Sequence, residues 1–183
     1  EDVIFQVSRT GTLTPVAVLS PVEIGGVIVK RATLHNLDEI KRLKVAIGDK
    51  VRVIRAGEVI PKVEGVAEEA EPKKRKDILK NLPKKCPACG EALSMRDDPP
   101  NLLCVNPACP EIITQQVAFW AGRNALSIEG LGEKIARRLV NEGFVKSVAD
   151  IYELNRHRES LKKLEGFAEI SVDNLLAEIE KSK

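Results

Sequence analysis

The sequence predicts a multidomain α+β chain: a β-barrel, a metal-stapled knuckle and an all-helical end. Three observations predict it. Short β-branched runs separated by Gly turns fill residues 1–66, all four cysteines are gathered between 86 and 109, and beyond 110 apolar residues recur at helical spacing. The predicted boundaries are 1–70, 71–85, 86–110 and 111–183. Aromatic residues make up 3% of the chain, which argues against an aromatic core or base-stacking platform. A net charge of +2 and a pI near 8.4 exclude a strongly basic tail-type binder but permit local basic patches. No apolar run is long enough to span a bilayer and no targeting segment is visible, so a soluble intracellular protein is expected. The opening Glu1-Asp2-Val3-Ile4-Phe5 reads as the interior of something longer.

In the first part, Val3 to Arg9 is β-rich and meets a Thr10-Gly11 turn. Leu13 to Leu19 forms a second run, and Pro21 to Ile24 leads into Gly25-Gly26, a hairpin signal from which Val27 to Arg31 returns. Leu34, Leu37, Ile40 and Leu43 then recur at helical spacing, with Asp38, Glu39, Lys41 and Arg42 outside. After Gly48-Asp49, Lys50 to Val53 alternates as a strand, Ala56-Gly57 breaks it, and Val59 to Val66 gives the last. Three strands, a helix and two strands is the order of an OB-fold, although another small barrel without a nucleic-acid role would share it. Singly, Arg9, Arg31, Arg52 and Arg55 read as solvated charges. Arg9 beside Thr10-Gly11 and Arg55 beside Ala56-Gly57 are better candidates, since a cation next to a small residue lets a phosphate reach the backbone. His35 and His157 lack a partner at a useful spacing and read as surface or helix-end residues. No acid–base cluster or nucleotide loop is present, so no catalytic residue is assigned.

Residues 71–85 form a charged linker, basic at Lys73, Lys74, Arg75 and Lys76, which reads as a solvated hinge with a phosphate contact as the lesser alternative. Cys86, Cys89, Cys104 and Cys109 come next in the pattern C-x2-C-x14-C-x4-C, among Pro87, Gly90, Pro99, Pro100, Pro107 and Pro110. A stretch so poor in apolar residues can be folded by a tetrahedral Zn2+ on four thiolates, because binding energy there becomes folding energy. Two disulfides in a secreted protein are the alternative, and the absence of a secretory signal favours zinc. Four sulfur ligands leave no open position, so the ion is structural. It is expected to set the angle between the parts of the chain on either side of it.

From 111 onward the chain reads as helix. Ile113, Val117, Trp120 and Ala121 share a face, with Trp120 expected as a core anchor. Ile128-Glu129-Gly130-Leu131-Gly132 then leads into a helix starting at Glu133, striped by Ile135, Ala136, Leu139 and Val140, with Lys134, Arg137 and Arg138 outward and Gly143 at its end. Helix, Gly-x-Gly and helix is the helix-hairpin-helix pattern, although an ordinary helix turn can use the same glycines. Missing side chains at Gly130 and Gly132 let backbone N–H groups meet a phosphate at a helix N-terminus, and Lys134 adds a cation. Ser147, with Asp150 three residues on, is expected to cap another helix. A second hairpin, Glu165-Gly166-Phe167-Ala168, lies 36 residues after the first, from Gly130 to Gly166. Ser171 is expected to open the last helix, striped by Val172, Leu175, Leu176 and Ile179. Two hairpins of this kind hold phosphates without reading bases, so binding should tolerate sequence and weaken with salt.

Several of these stretches together resemble a known family. They are Val7-Ser8-Arg9-Thr10-Gly11, Leu13-Thr14-Pro15-Val16-Ala17, Arg31-Ala32-Thr33-Leu34-His35-Asn36, Ile47-Gly48-Asp49, Ala56-Gly57-Glu58-Val59-Ile60-Pro61, the four cysteines and Ile128-Glu129-Gly130-Leu131-Gly132. The chain resembles the bacterial NAD+-dependent DNA ligases over the region after their nucleotidyltransferase domain. The resemblance implies an OB domain, a four-cysteine zinc finger and the first part of a helix-hairpin-helix domain. Such enzymes seal nicks in duplex DNA during replication and repair: NAD+ adenylates a lysine, AMP moves to the 5′-phosphate, and the 3′-hydroxyl displaces it. The implied partners are nicked DNA and the adenylation domain of the same protein, in a cytoplasmic, nucleoid-associated monomer.

By match to the family, Arg9, Thr10, Arg55, Val59 and Ile60 would lie at the DNA near the nick, and Gly130, Gly132 and Gly166 in the hairpins. The family's K-x-D-G lysine and its NAD+ site are absent from this chain, so NAD+ and Mg2+ would be bound outside it and the chain alone would not ligate. Ser8 stands where the family usually has Gly, Ala168 replaces the second hairpin's second Gly, and Ile170 stands where Lys is common. Ser8 puts close backbone approach at its own turn in question, and Ala168 and Ile170 imply a weaker grip at the second hairpin. A free-standing DNA-binding module without a catalytic half is the alternative reading.

Overall fold

The computed structural model describes every residue except Gly57, Glu58, Val59, Asp98, Pro99, Glu165, Gly166 and Ala168. The chain divides into two compact units, Glu1–Val105 and Asn106–Lys183.

In the first unit β1 (Asp2–Val7), β2 (Leu13–Ile24), β3 (Val27–Thr33), β4 (Lys50–Ala56) and β5 (Ile60–Glu68) form one sheet in the order β1-β2-β3-β5-β4. All pairings are antiparallel except the β3–β5 pair, which is parallel at Thr33 and Lys62. With helix α1 (Leu37–Leu43) between β3 and β4, this is the OB order that the strand runs predict. The second strand is longer than expected. It runs unbroken to Ile24, with a register shift between Val18 and Val22 around Pro21, which has no N–H for the ladder. The helix is shorter. His35 takes a left-handed φ of 65°, and Asn36 is extended and accepts the Glu39 N–H at 2.8 Å. That cap starts the helix at Leu37, and Leu34 instead follows the end of β3, buried and donating its N–H to the Pro15 carbonyl at 3.0 Å. The barrel core is Ala17, Ala32, Leu34, Leu37, Ile40, Val45, Val63 and Ile78.

The presence of Ile78 in that core corrects the hinge reading of residues 71–85. The connector is docked on the barrel. Lys76 and Ile47 exchange both backbone hydrogen bonds, at 3.0 and 3.1 Å, and Leu79 and Leu82 pack at the core's edge. The Asp49 side chain, 0% exposed, accepts from Arg75 Nε at 2.9 Å and from the amides of Ala46 and Ala70 at 2.9 and 3.0 Å. Burial works against its charge, but the Arg75 guanidinium and the two amides outweigh it and hold the carboxyl below its ordinary range. Composition shows a run of charges here. It does not show that one arginine has a buried partner 26 residues away.

Strands β6 (Leu93–Asp97) and β7 (Pro100–Cys104) form the hairpin of the cysteine knuckle.

The second unit packs α2 (Pro110–Trp120), α3 (Glu133–Asn141), a 3-10 helix (Val148–His157), α4 (Arg158–Lys162) and α5 (Glu169–Lys181) around Val117, Ala136, Leu139, Val145, Ile151, Leu154, Leu161 and Val172. Three expectations change here. Trp120 is not a core anchor: it is 39% exposed and donates its Nε1–H to the Tyr152 hydroxyl at 3.2 Å. Ile113, Val117 and Ala121 form the buried stripe, and Trp120, one residue before Ala121, is turned about 100° away from it. Arg137 does not point freely outward but bridges Glu111 and Glu133. The last helix starts at Glu169, two residues before Ser171, while its stripe of Val172, Leu175, Leu176 and Ile179 is buried as expected. Among the described residues no helix is long and apolar enough to cross a membrane.

Candidate functional site

The cysteine cluster is built by local turns. Cys86 donates its N–H to Glu91 at 2.8 Å and accepts from the Gly90 N–H at 2.9 Å, with Gly90 at a left-handed φ of 76°. This tight reversal brings Cys89 back beside Cys86. Cys104 ends β7, and Cys109 is the N-cap of α2, with Pro110 in the first turn where its missing N–H costs nothing. Cys86, Cys104 and Cys109 are buried and Cys89 is half-buried. The four sulfurs lie within 4.8 Å of one another, and Cys89 and Cys104 Sγ are 3.7 Å apart. A disulfide would hold its sulfurs at about 2.05 Å. A tetrahedron with arms of about 2.3 Å has edges of about 3.8 Å, so the donor set fits one thiolate-bound metal ion and not two disulfides. Among the described residues this is the one group of metal-ligating side chains so gathered.

One ligand is tied directly to the barrel. The Cys104 N–H donates to the Gly11 carbonyl at 2.9 Å, and Thr12 bridges to Leu103. Gly11 belongs to the β1–β2 turn that carries Arg9 and Thr10, both exposed. The turn closes through Ser8 N–H to Thr12 O and Gly11 N–H to Ser8 O, each 2.9 Å. Ser8 adds to this closure: its hydroxyl lies 3.0 Å from Thr10 Oγ1 and accepts the Thr10 N–H at 3.3 Å. No local pattern could have shown the Gly11–Cys104 bond, because its partners lie in different elements far apart in sequence.

The other barrel candidates sit around the β4–β5 turn. Ile60, 59% exposed, opens β5 opposite Ala56. Arg55 is half-buried on β4, with Nη1 3.5 Å from where a Cβ would stand on Gly25, so its head reaches toward the β2–β3 turn. Val59 lies outside the described residues. In OB-folds the β1–β2 and β4–β5 loops carry oligonucleotide binding, and these candidates occupy or flank both.

The first helical hairpin also stands as expected. Gly130 has φ +84° and Gly132 is the N-cap of α3, exposed and without a side-chain capping bond. The first-turn amides of α3 are therefore uncapped by a side chain, as an anion site at a helix N-terminus requires. Lys134 is exposed in that turn. Glu133 would oppose an anion there, but its carboxylate is held by Arg137 Nη2 at 2.7 Å and Gln115 Nε2 at 3.1 Å. Arg137 also clasps Glu111 of α2 and, against the effect of burial, holds that carboxyl below its usual range. Gly166 and Ala168 of the second hairpin lie outside the described residues. His157 packs edge-on against Phe144, ring centroids 5.4 Å apart.

Residues 1–75 match the model of the NAD-dependent DNA ligase OB-fold domain, and residues 123–181 match that of the SAM-like helix-hairpin-helix tandem. Among similar proteins, the DNA ligase of Nautilia profundicola is 50% identical over 185 residues, covering 100% of this chain and 27% of that one. The DNA ligase of Rubrobacter xylanophilus is 46% identical over 182 residues, covering 100% of this chain and 26% of its own length. This chain thus spans about a quarter of the length of these relatives.

Proposed function

We propose, from the premise that this chain belongs to the NAD-dependent DNA ligase family along its whole length, that it is the portion of such an enzyme that grips duplex DNA at a nick. What supports this reading is a glycine-bearing turn with an adjacent exposed cation in each unit: Arg9 in Arg9-Thr10-Gly11 on the barrel, and Lys134 beside Gly130-Leu131-Gly132 on the helices. In this reading Arg9, Thr10 and Arg55 hold sugar-phosphate near the nick, and Val59 and Ile60 press apolar surface on the minor-groove side. Gly130, Gly132, Lys134 and Gly166 hold phosphates through backbone amides and charge, without reading bases. The four cysteines hold a structural Zn2+, which supplies folding energy and no reaction chemistry.

NAD+, Mg2+ and the adenylated lysine belong to the rest of the parent enzyme. No K-x-D-G occurs in this sequence, so the chain by itself binds and does not seal. The parent is a monomer of the cytoplasm, acting at the nucleoid in replication and repair.

The test is binding of the zinc-loaded chain to a 5′-phosphorylated nicked duplex, monitored by fluorescence anisotropy between about 50 and 200 mM salt. Affinity should fall linearly on a log–log plot. Gly132→Ala should bind about tenfold more weakly, as loss of one charge-assisted hydrogen bond would produce. Its melting temperature should fall only by the small cost of Ala at an N-cap, because a Cβ at Gly132 meets nothing within 4 Å. Binding indifferent to salt, or unchanged by Gly132→Ala, would contradict the reading.

A further inference from the structure

The docked connector carries Lys73, Lys74, Arg75, Lys76, Lys80, Lys84 and Lys85 against two carboxylates, Glu71 and Asp77. These charges are not equivalent. Lys74 pairs with Glu71 at 3.1 Å, and Arg75 pairs with Asp49 at 2.9 Å and Glu69 at 3.4 Å. Asp77 turns its Oδ1 to the amides of Leu79 and Lys80, at 2.9 and 3.3 Å, so its charge serves the backbone. Lys73, Lys76, Lys80, Lys84 and Lys85 are exposed, and none forms an ion pair among the described residues.

The backbone beneath these five is held at intervals. Lys76 is bonded to Ile47, Ile78 is buried in the barrel core, the Lys84 carbonyl accepts from the Leu93 N–H at 3.0 Å, and Lys85 bridges to Ala92. A mobile hinge would let like charges spread apart. This segment keeps them together with no internal neutralisation, so its positive potential is available to an outside anion. The connector's apolar residues Ile78, Leu79 and Leu82 are spent inward on the barrel, which leaves no apolar anchor for a protein partner. Lysine ammonium groups are strongly hydrated point charges, suited to phosphate and not to the bidentate reading of a base edge.

We infer that Lys73–Lys85 is a further contact surface for the phosphate backbone of duplex DNA, distinct from the barrel turns and the helical hairpin. The inference rests on the proposed DNA-binding function. Lys84, at a bend, and Lys85, in the bridge to Ala92, are adjacent in sequence and are counted together as one contact. The surface therefore offers at most about four phosphate contacts.

The test uses the whole zinc-loaded chain on the same nicked duplex, with Lys73→Gln, Lys76→Gln, Lys80→Gln, Lys84→Gln and Lys85→Gln combined. Each lost contact should flatten the slope of log K against log salt by about 0.9, so a flattening of about two to four is expected. Thermal stability should not fall, since no ion pair is removed. A parent chain that binds with a steep slope, beside a combined variant of the same slope, would overturn this surface and leave the DNA-binding reading standing. A parent chain without salt-dependent binding would remove both.

Discussion

Stripping the metal from the cysteine cluster should unfold β6 and β7 and loosen the Arg9–Gly11 turn, while the rest of the barrel stays folded. A two-stranded hairpin is at best marginally stable in water, and apart from the cysteines this knuckle buries, among the described residues, only Leu102. Structural zinc on sulfur ligands contributes an apparent ~10–16 kcal/mol at neutral pH, far more than one leucine can replace. The loss should reach the turn because Cys104 bonds Gly11 through its own amide. It should stop there, because the barrel core of Leu34, Ile40, Val63 and Ile78 contains no cysteine. Chelation, or Cys104→Ser, should therefore speed amide exchange of Leu102–Cys104 and Thr12 by orders of magnitude and leave Val63 protected. A chain that stays fully protected without metal, with its thiols oxidised, would refute the assignment.

Replacing Asp49 with Ala should lower the stability of the first unit by about 3–5 kcal/mol, the range for breaking a buried ion pair. The carboxylate is fully enclosed, and its loss strands the Ala46 and Ala70 amides and leaves Arg75 only Glu69 and the Lys44 carbonyl. The midpoint of urea unfolding should move with little change in its slope. A loss below about 1 kcal/mol would mean that water replaces the carboxylate without cost. The pH dependence has a definite sign. The folded-state pKa of Asp49 is lowered from the ordinary 3.8, so its contribution is complete above that value and drains away as pH falls through the folded one. Glu39, held to about 2 first by Arg42 and also by Lys62 against partial burial, acts in the same direction from its ordinary 4.5 downward. Acid unfolding of the wild-type chain should therefore steepen below about pH 4, and less so for Asp49→Asn.

What was legible in the sequence is what depends on local spacing. The cysteine pairs with their turn residues, the three-strand, helix, two-strand order and the Gly130–Gly132 hairpin all declare themselves within short windows. What was not legible depends on a distant partner. The connector reads as a hinge because Asp49 and the barrel pocket for Ile78 lie elsewhere in the chain. Trp120 reads as core because helical periodicity tolerates a residue at the stripe's edge, and only the position of Tyr152 shows which way it turns. The bond from Gly11 to Cys104, which makes the knuckle a neighbour of Arg9 and Thr10, has no signature in either segment. Residue roles at the DNA rest on the family resemblance and on exposure, and two of them, at Val59 and Gly166, fall outside the described residues.

The most direct measurement is amide hydrogen exchange of the zinc-loaded chain with and without a nicked duplex. Slowed exchange should appear together at Ser8–Thr12 and at Gly130–Ile135, the turns that carry the exposed cations Arg9 and Lys134. Slowing at neither place, or at only one of them, would contradict a chain that holds DNA with both of its units.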